Sequence, residues 1–282
     1  MSKDLDRLVL GCANLDNQYQ NIISITAAEE FIDFALTSGI AKFDTSSQYG
    51  GSEPLLASRL KRLYDNRIQV ISKYVQVDWK NQIDTSLERF NDKIATLLWH
   101  DFERTPARKA HYYKIAEYLR NRKINSGMSV YGINDARQAF ELFPDVVQID
   151  CNLLTWRTMI DAVAEARSRG IKIMIRSVFA RGYLTSKVML NRNLTMCPLR
   201  EEIKKLYDLA IFHGISLEEM AFRFIKDITD LEQIVVGVSY KHEIKEIVSW
   251  SKKPFMHDSI HDRIRELTMD VNYEKADLRK WT

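Results

Sequence analysis

The feature that most constrains this chain is an alternation. Short apolar runs rich in β-branched residues are each followed by a stretch whose apolar positions recur every three or four residues. Strand-like runs fall at 8–13, 41–44, 68–73, 93–100, 124–130, 146–152, 171–178 and 233–239. A helix starts at Thr26, spaced with Glu29 as a capping box, and runs to Ser38-Gly39. Another covers about 52–63, amphipathic segments follow the third and fourth runs, and helices are expected around 134–143, 156–169, 198–214, 217–227 and 241–250. Strands separated by helices pair in parallel through crossovers, and eight such units favour a closed barrel over an open doubly wound sheet.

The 282 residues suit two small domains of roughly 150 residues or one large α/β barrel of about 250. The five prolines are dispersed and no Pro/Gly/Ser-rich linker divides the chain. The expectation is therefore α/β: a single (β/α)8 barrel domain spanning 1–282, with the barrel over about 8–250 and a C-terminal extension over about 251–282. Charge is nearly balanced, 41 basic against 38 acidic residues, so no single-sign field points to nucleic acid. No apolar run approaches the ~18 residues of a membrane span, and the first residues lack a signal-peptide core. Cys12, Cys151 and Cys197, odd in number and widely spaced, suggest neither a disulfide framework nor a metal motif. A cytoplasmic protein is expected; its oligomeric state is left open.

In such a barrel, chemistry gathers where strands end and loops begin. Asp44, Lys73 and His100 end the second, third and fourth runs, and Tyr49 lies five residues past Asp44. Singly they read as a loop cap, a solvated charge and a structural histidine. Together they suit proton donation. A tyrosine is a poor acid, with an ordinary pKa of about 10, and a nearby ammonium favours its phenolate. Lys73 supplies that charge, Asp44 holds Lys73, and His100 orients a carbonyl oxygen beside the phenol. Such a set needs a hydride that no side chain donates, which implies a nicotinamide cofactor.

Phe43-Asp44-Thr45-Ser46-Ser47-Gln48-Tyr49-Gly50-Gly51-Ser52-Glu53, Ile71-Ser72-Lys73 and Leu97-Leu98-Trp99-His100 resemble the signature segments of the aldo-keto reductases. The likeness continues through 127–130, 147–152, 177–185 and 235–239. It implies a TIM barrel that binds NADPH in an extended pose without a GxGxxG fingerprint, with NADH as the alternative, and that reduces a small-molecule aldehyde or ketone to an alcohol. Tyr49 would be the general acid, Lys73 its activator, Asp44 the anchor of Lys73, and His100 the orienter of the carbonyl. The cofactor-binding positions carried over are Gly11; Ser129 and Gln148 for the nicotinamide carboxamide; Ser177, Phe179 and Gly182 for the pyrophosphate; and Gly237, Ser239 and Glu243 for the adenosine end.

Three departures stand out. Val130 follows Ser129 where the family often has Asn. Arg176 occupies the position of a Tyr that stacks on the nicotinamide, where a guanidinium would stack instead. Val238-Ser239 and Ile244 replace the usual 2′-phosphate grip, leaving Lys241 or Lys245 to substitute. The short stretch Asp101 to Ala107 suggests an open pocket. Several segments look like a bacterial branch associated with polysaccharide and nucleotide-sugar pathways, which suggests a sugar-derived carbonyl, with Trp99 at the site's edge stacking on a pyranose. A second reading makes the chain a cofactor-binding redox sensor or scaffold with little turnover, and a third makes Lys73 a Schiff-base lysine. His257 and His261 have the i, i+4 spacing of a zinc helix, but no third ligand is evident and a surface helix is the expectation.

Overall fold

The computed structural model describes residues 5–15, 25–100, 102, 108–190, 194, 197–228 and 231–281. Eight parallel strands close into a barrel in sequence order: β1 (Leu8–Gly11), β2 (Lys42–Asp44), β3 (Gln69–Tyr74), β4 (Ile94–Trp99), β5 (Asn125–Val130), β6 (Val146–Asp150), β7 (Lys172–Arg176) and β8 (Gln233–Gly237). Closure comes from β8 pairing with β1, Leu8 to Gly11 against Ile234 to Gly237. The helices are α1 (Ile25–Thr37), α2 (Ser52–Leu60), α3 (Trp79–Phe90), α4 (Arg108–Arg120), α5 (Gly132–Phe140), α6 (Trp156–Ser168), α7 (Arg200–Phe212), α8 (Leu217–Ile228), α9 (Lys241–Ser251) and α10 (Asp258–Thr268). None of the described helices is long and apolar enough to cross a membrane.

Side chains two apart along a strand share a face, so each strand divides its residues between two cores. Val9, Ile71, Leu98, Val146, Met174 and Val235 form a plug inside the barrel. Their neighbours point outward and join a much larger shell under the helices, which includes Leu8, Leu10, Val70, Leu97, Trp99, Val147 and Ile175. Gly127 is what lets the plug close: a Cβ there would lie 2.0 Å from the Val146 carbonyl oxygen and 2.8 Å from Leu98 Cδ2. No other residue fits that approach.

Four runs expected to continue as strands stop two residues early, at Gly11, Asp150, Arg176 and Gly237. Their last apolar residues have left the ladder to begin the loops that shape the barrel mouth. Thr26 is the second residue of α1 rather than its cap, which lies outside the described residues.

The C-terminal extension is fastened by α10. Trp156 Nε1 donates to Thr268 Oγ1 at 2.8 Å, and Trp281 meets Tyr183 edge-on at 4.8 Å between ring centres. His261 is not on the surface as expected. It stacks on Phe224 at 5.1 Å, with Nε2 3.5 Å from Asp227 Oδ2, while the His257 side chain accepts the Ser259 N–H at the start of α10.

Candidate active site

The interior plug positions the site by simple counting. Two residues beyond Val9, Ile71, Leu98, Val146, Met174 and Val235 stand Gly11, Lys73, His100, Gln148, Arg176 and Gly237. The strand period therefore aims all six positions into the C-terminal mouth.

Lys73 is the centre. Its Nζ lies 2.5 Å from Asp44 Oδ1 and donates to the Thr45 carbonyl at 2.8 Å, with no exposure of its side chain. Asp44 uses its other oxygen to accept Gln148 Nε2 at 2.7 Å, and Gln148 Oε1 accepts the Ser129 hydroxyl at 3.0 Å. Ammonium, carboxylate, amide and hydroxyl thus form one chain across the mouth. Burial opposes the charge on Lys73, but Asp44 and Tyr49 outweigh it and hold the ammonium above the usual lysine value. A lysine so held is a poor amine nucleophile, which argues against the Schiff-base reading.

Tyr49 reaches this centre from the β2–α2 loop. Its N–H donates to the Ser46 carbonyl at 3.0 Å, and the left-handed Gly50 (φ 52°) then turns the chain into α2. The Ser47 hydroxyl on the Lys73 carbonyl and the Ser52 hydroxyl on the Cys12 carbonyl tie the loop to the barrel. The Lys73 nitrogen lies 4.9 Å from the centre of the Tyr49 ring, and His100 meets that ring edge-on at 5.5 Å.

His100 is neutral. Burial first, then the charges of Lys73 and Arg176, push it down to about 3. The sequence reading missed Ser46, which holds the ring in place. Ser46 Oγ accepts the Gln48 N–H at 3.1 Å and lies 3.1 Å from His100 Nδ1.

Arg176 extends across the ends of β5 and β7. It donates to Ser129 Oγ (3.4 Å), Ser177 Oγ (3.1 Å) and the Val130 carbonyl (2.9 Å), and its guanidinium lies 4.1 Å from the centre of the Tyr131 ring. Arg279 lies 4.8 Å from the centre of the same ring. Neither Tyr131 nor Arg279 was singled out from the sequence, because nothing local marks a stack between residues 148 apart.

The loop after β7 holds Ser177, Ala180, Arg181 and Gly182 at φ of 61°, 45°, 56° and 93°. Left-handed backbone at the three non-glycine positions costs roughly 1–3 kcal/mol each, and such strain concentrates at ligand-gripping loops. Phe179 anchors the loop by packing on the core. At the end of β8, the space a side chain would fill at Gly237 is open, with no described atom within 4 Å. Glu243 accepts the Ser239 and Tyr240 N–H groups at 2.7 and 3.2 Å and pairs with Lys187 at 3.3 Å. Lys241 is paired with Glu30 at 2.8 Å, and Lys245 lies 5.5 Å from the centre of the Phe34 ring.

Trp99 corrects the sequence reading. It is fully buried in the outer shell, edge-on to Phe102 at 5.4 Å and 5.1 Å from His111, and lines no part of the mouth. Adjacent residues on a strand face opposite ways, so His100 pointing in sends Trp99 out. Apart from Phe102, the loop Asp101 to Ala107, expected to leave the pocket open, lies outside the described residues.

A lysine buried beside an aspartate, a tyrosine against it and a histidine held neutral thus meet at the C-terminal mouth of a closed eight-stranded α/β barrel. Residues 7–268 match the model of the aldo/keto reductase family, and the chain belongs to that family. It is an oxidoreductase of a family that acts on small carbonyl compounds. Its fold is that of an aldo-keto reductase from Bacillus halodurans solved in its holo form, with a TM-score of 0.74, 17% identity and coverage of 93% of this chain and 91% of that one. A thermostable aldo-keto reductase solved with the inhibitor epalrestat matches with a TM-score of 0.73 at 16% identity, covering 93% and 94% of the two chains. A putative aldo-keto reductase from Pseudomonas aeruginosa gives 0.65 at 17%, covering 87% and 89%.

Proposed function

We propose that the chain reduces an aldehyde or ketone to an alcohol with NADPH, Tyr49 supplying the proton. The observation that carries this reading is the Lys73 ammonium, closed off from solvent by Asp44 and Thr45 and 4.9 Å from the centre of the Tyr49 ring. Bound NADPH supplies the hydride that no side chain provides. The Lys73 charge stabilises the negative charge that grows on the phenol oxygen as its proton leaves. For neutral His100 to donate to the same carbonyl oxygen and orient it, Nε2 carries the proton and Nδ1 faces Ser46.

The residues present suit the cofactor. Ser129 and Gln148, 3.0 Å apart, offer the hydroxyl and amide that complement a primary carboxamide. The strained loop at Ser177, Phe179 and Gly182 suits a pyrophosphate, and the open position at Gly237, next to Gly11 across the β8–β1 seam, leaves room for the chain of a dinucleotide. Ser239 and Glu243 would face the adenosine end. The sugar-derived substrate loses the pyranose-stacking residue offered for it, since Trp99 is buried.

NADPH fluorescence titrated with protein, followed by turnover of a generic aldehyde, tests the reading. Tyr49→Phe is expected to lower kcat by about 10²–10⁴ while leaving the titration curve in place. Absence of NADPH binding by the native chain overturns it.

A further inference from the structure

We propose that Glu53 and Gln82 are positioning residues that set, from outside the barrel, where Tyr49 stands relative to Lys73. This rests on the carbonyl-reductase reading above and concerns how that same site is held.

Glu53 is a buried acid that the proton transfer does not use. It stands at the second position of α2, four residues beyond Tyr49, and its side chain is 1% exposed. One carboxylate oxygen accepts the Ser72 hydroxyl at 2.6 Å and the Ser86 hydroxyl at 2.7 Å, while the other accepts Arg89 Nη1 at 2.7 Å. A carboxylate is kept from water only where such partners replace it. Ser72 precedes Lys73 on β3, and strand parity turns its side chain outward while Lys73 points into the mouth. Glu53 therefore grips β3 from behind, at the residue next to the ammonium.

A second clamp lies on the other side of Tyr49. Gln82 Oε1 accepts Gln48 Nε2 at 3.3 Å and the Val75 N–H at 3.1 Å. Gln48 precedes Tyr49, and Val75 lies two residues past Lys73. The two clamps thus bracket both partners: Glu53 joins the chain after Tyr49 to the residue before Lys73, and Gln82 joins the chain before Tyr49 to the exit of β3.

Both clamps share one support. Gln82, Ser86 and Arg89 are spaced i, i+4 and i+7 along α3, which places them on one face of a helix that also buries Ile83 and Phe90. Gln48, Glu53, Ser72 and Val75 are thereby tied to a single packed element. Tyr49 comes from a loop and has no strand ladder of its own to fix it, yet the effect of the Lys73 charge on its phenol weakens with separation. A misplacement of about 1 Å in an active site can cost about 10²-fold in rate.

The test compares Ser72→Ala, which cuts the Glu53 grip on β3 and leaves its pairing with Arg89, with Gln82→Leu and with the double variant. Phe140→Leu, a fully buried core substitution in α5, serves as the destabilised control. With a generic aldehyde, each single variant is expected to lower kcat by about 3- to 10-fold and the double variant by about 10²-fold. KM and the NADPH titration curve stay within about twofold of native. The alkaline limb of the kcat profile moves up by about half to one pH unit, because a more distant ammonium favours the phenolate less. Gln82→Glu, which keeps the accepting oxygen, recovers most of the lost kcat. Phe140→Leu lowers the urea midpoint at least as far while keeping the native kcat and profile. Lowered stability with kcat and its pH profile unmoved, a kcat loss equalled by Phe140→Leu, or an effect confined to NADPH affinity each overturn the proposal. Aldehyde reduction by the native enzyme separates those outcomes from failure of the reductase reading, in which no aldehyde is reduced and the proposal falls with it.

Discussion

The centre of the barrel mouth and its rim over β8 are both built from charged side chains, but they obey different electrostatics. At the centre, the Lys73 and Asp44 side chains are 0% and 6% exposed, and both carboxylate oxygens of Asp44 are engaged, one by Lys73 and one by Gln148. At the rim, Lys241 and Glu30 are 45% and 61% exposed, and Lys187 is 67% exposed where it meets Glu243. A buried pair is locked because separating it strands a charge away from water, whereas an exposed pair is worth about 0–1 kcal/mol and exchanges readily with solvent ions. The centre is therefore fixed before any ligand arrives, and the rim is free to rearrange around one.

The largest effect that distinguishes the two regions follows from removing a cation from each. Lys73→Met leaves Asp44 buried without its counter-ion and is expected to lower unfolding free energy by about 3–5 kcal/mol, besides abolishing turnover. Urea unfolding at constant m-value measures it. A loss below about 1 kcal/mol would place the centre in the same screened regime as the rim and remove the contrast.

The next effect is in pH. Folded His100, held near 3, is far below the ~6.5 of an unfolded histidine. Between those values the unfolded chain takes up a proton that the folded one refuses. The contribution of neutral His100 is thus complete above about pH 6.5 and lost as pH falls towards 3. Lys73 behaves in the opposite sense: with its pKa raised in the fold, its contribution is complete below the ordinary lysine value of about 10.5 and lost as pH rises through the folded value. Melting curves from pH 7 to 4 are expected to fall more steeply for the native chain than for His100→Asn. Parallel curves would mean that His100 is solvated like a rim residue.

The same contrast explains what could be read in advance. Asp44, Tyr49, Lys73 and His100 were legible because strand ends are marked by the end of an apolar run, and the eight barrel strands by its recurrence. The bridge from Asp44 to Gln148 was legible only as two separate residues, since a separation of 104 positions says nothing of the chord that joins β2 to β6 inside the barrel. Trp99 was misplaced although parity alone, applied from His100, sends it outward. The overrun of four strand ends has a different cause: β propensity persists in Val178 and Val238 after neighbouring strands have ceased to supply partners, and where that happens depends on the stagger of the whole barrel.

The smallest expected effect belongs to the rim and decides which cofactor it reads. Lys241 is one of the two lysines after β8 proposed to stand in for a 2′-phosphate grip, and Glu30 holds it at 2.8 Å. Glu30→Gln releases that amine without altering Lys241. NADPH affinity relative to NADH is then expected to rise about two- to fivefold, the scale of an exposed pair, with unfolding free energy changed by less than about 1 kcal/mol. The gain should vanish near 1 M salt, where screening acts within about 3 Å. Lys241→Ala should reverse it. A ratio unmoved by either substitution would mean that Lys241 does not read the phosphate, leaving Lys187, already drawn to Glu243 across the same rim, as the next cation to test by the same two measurements.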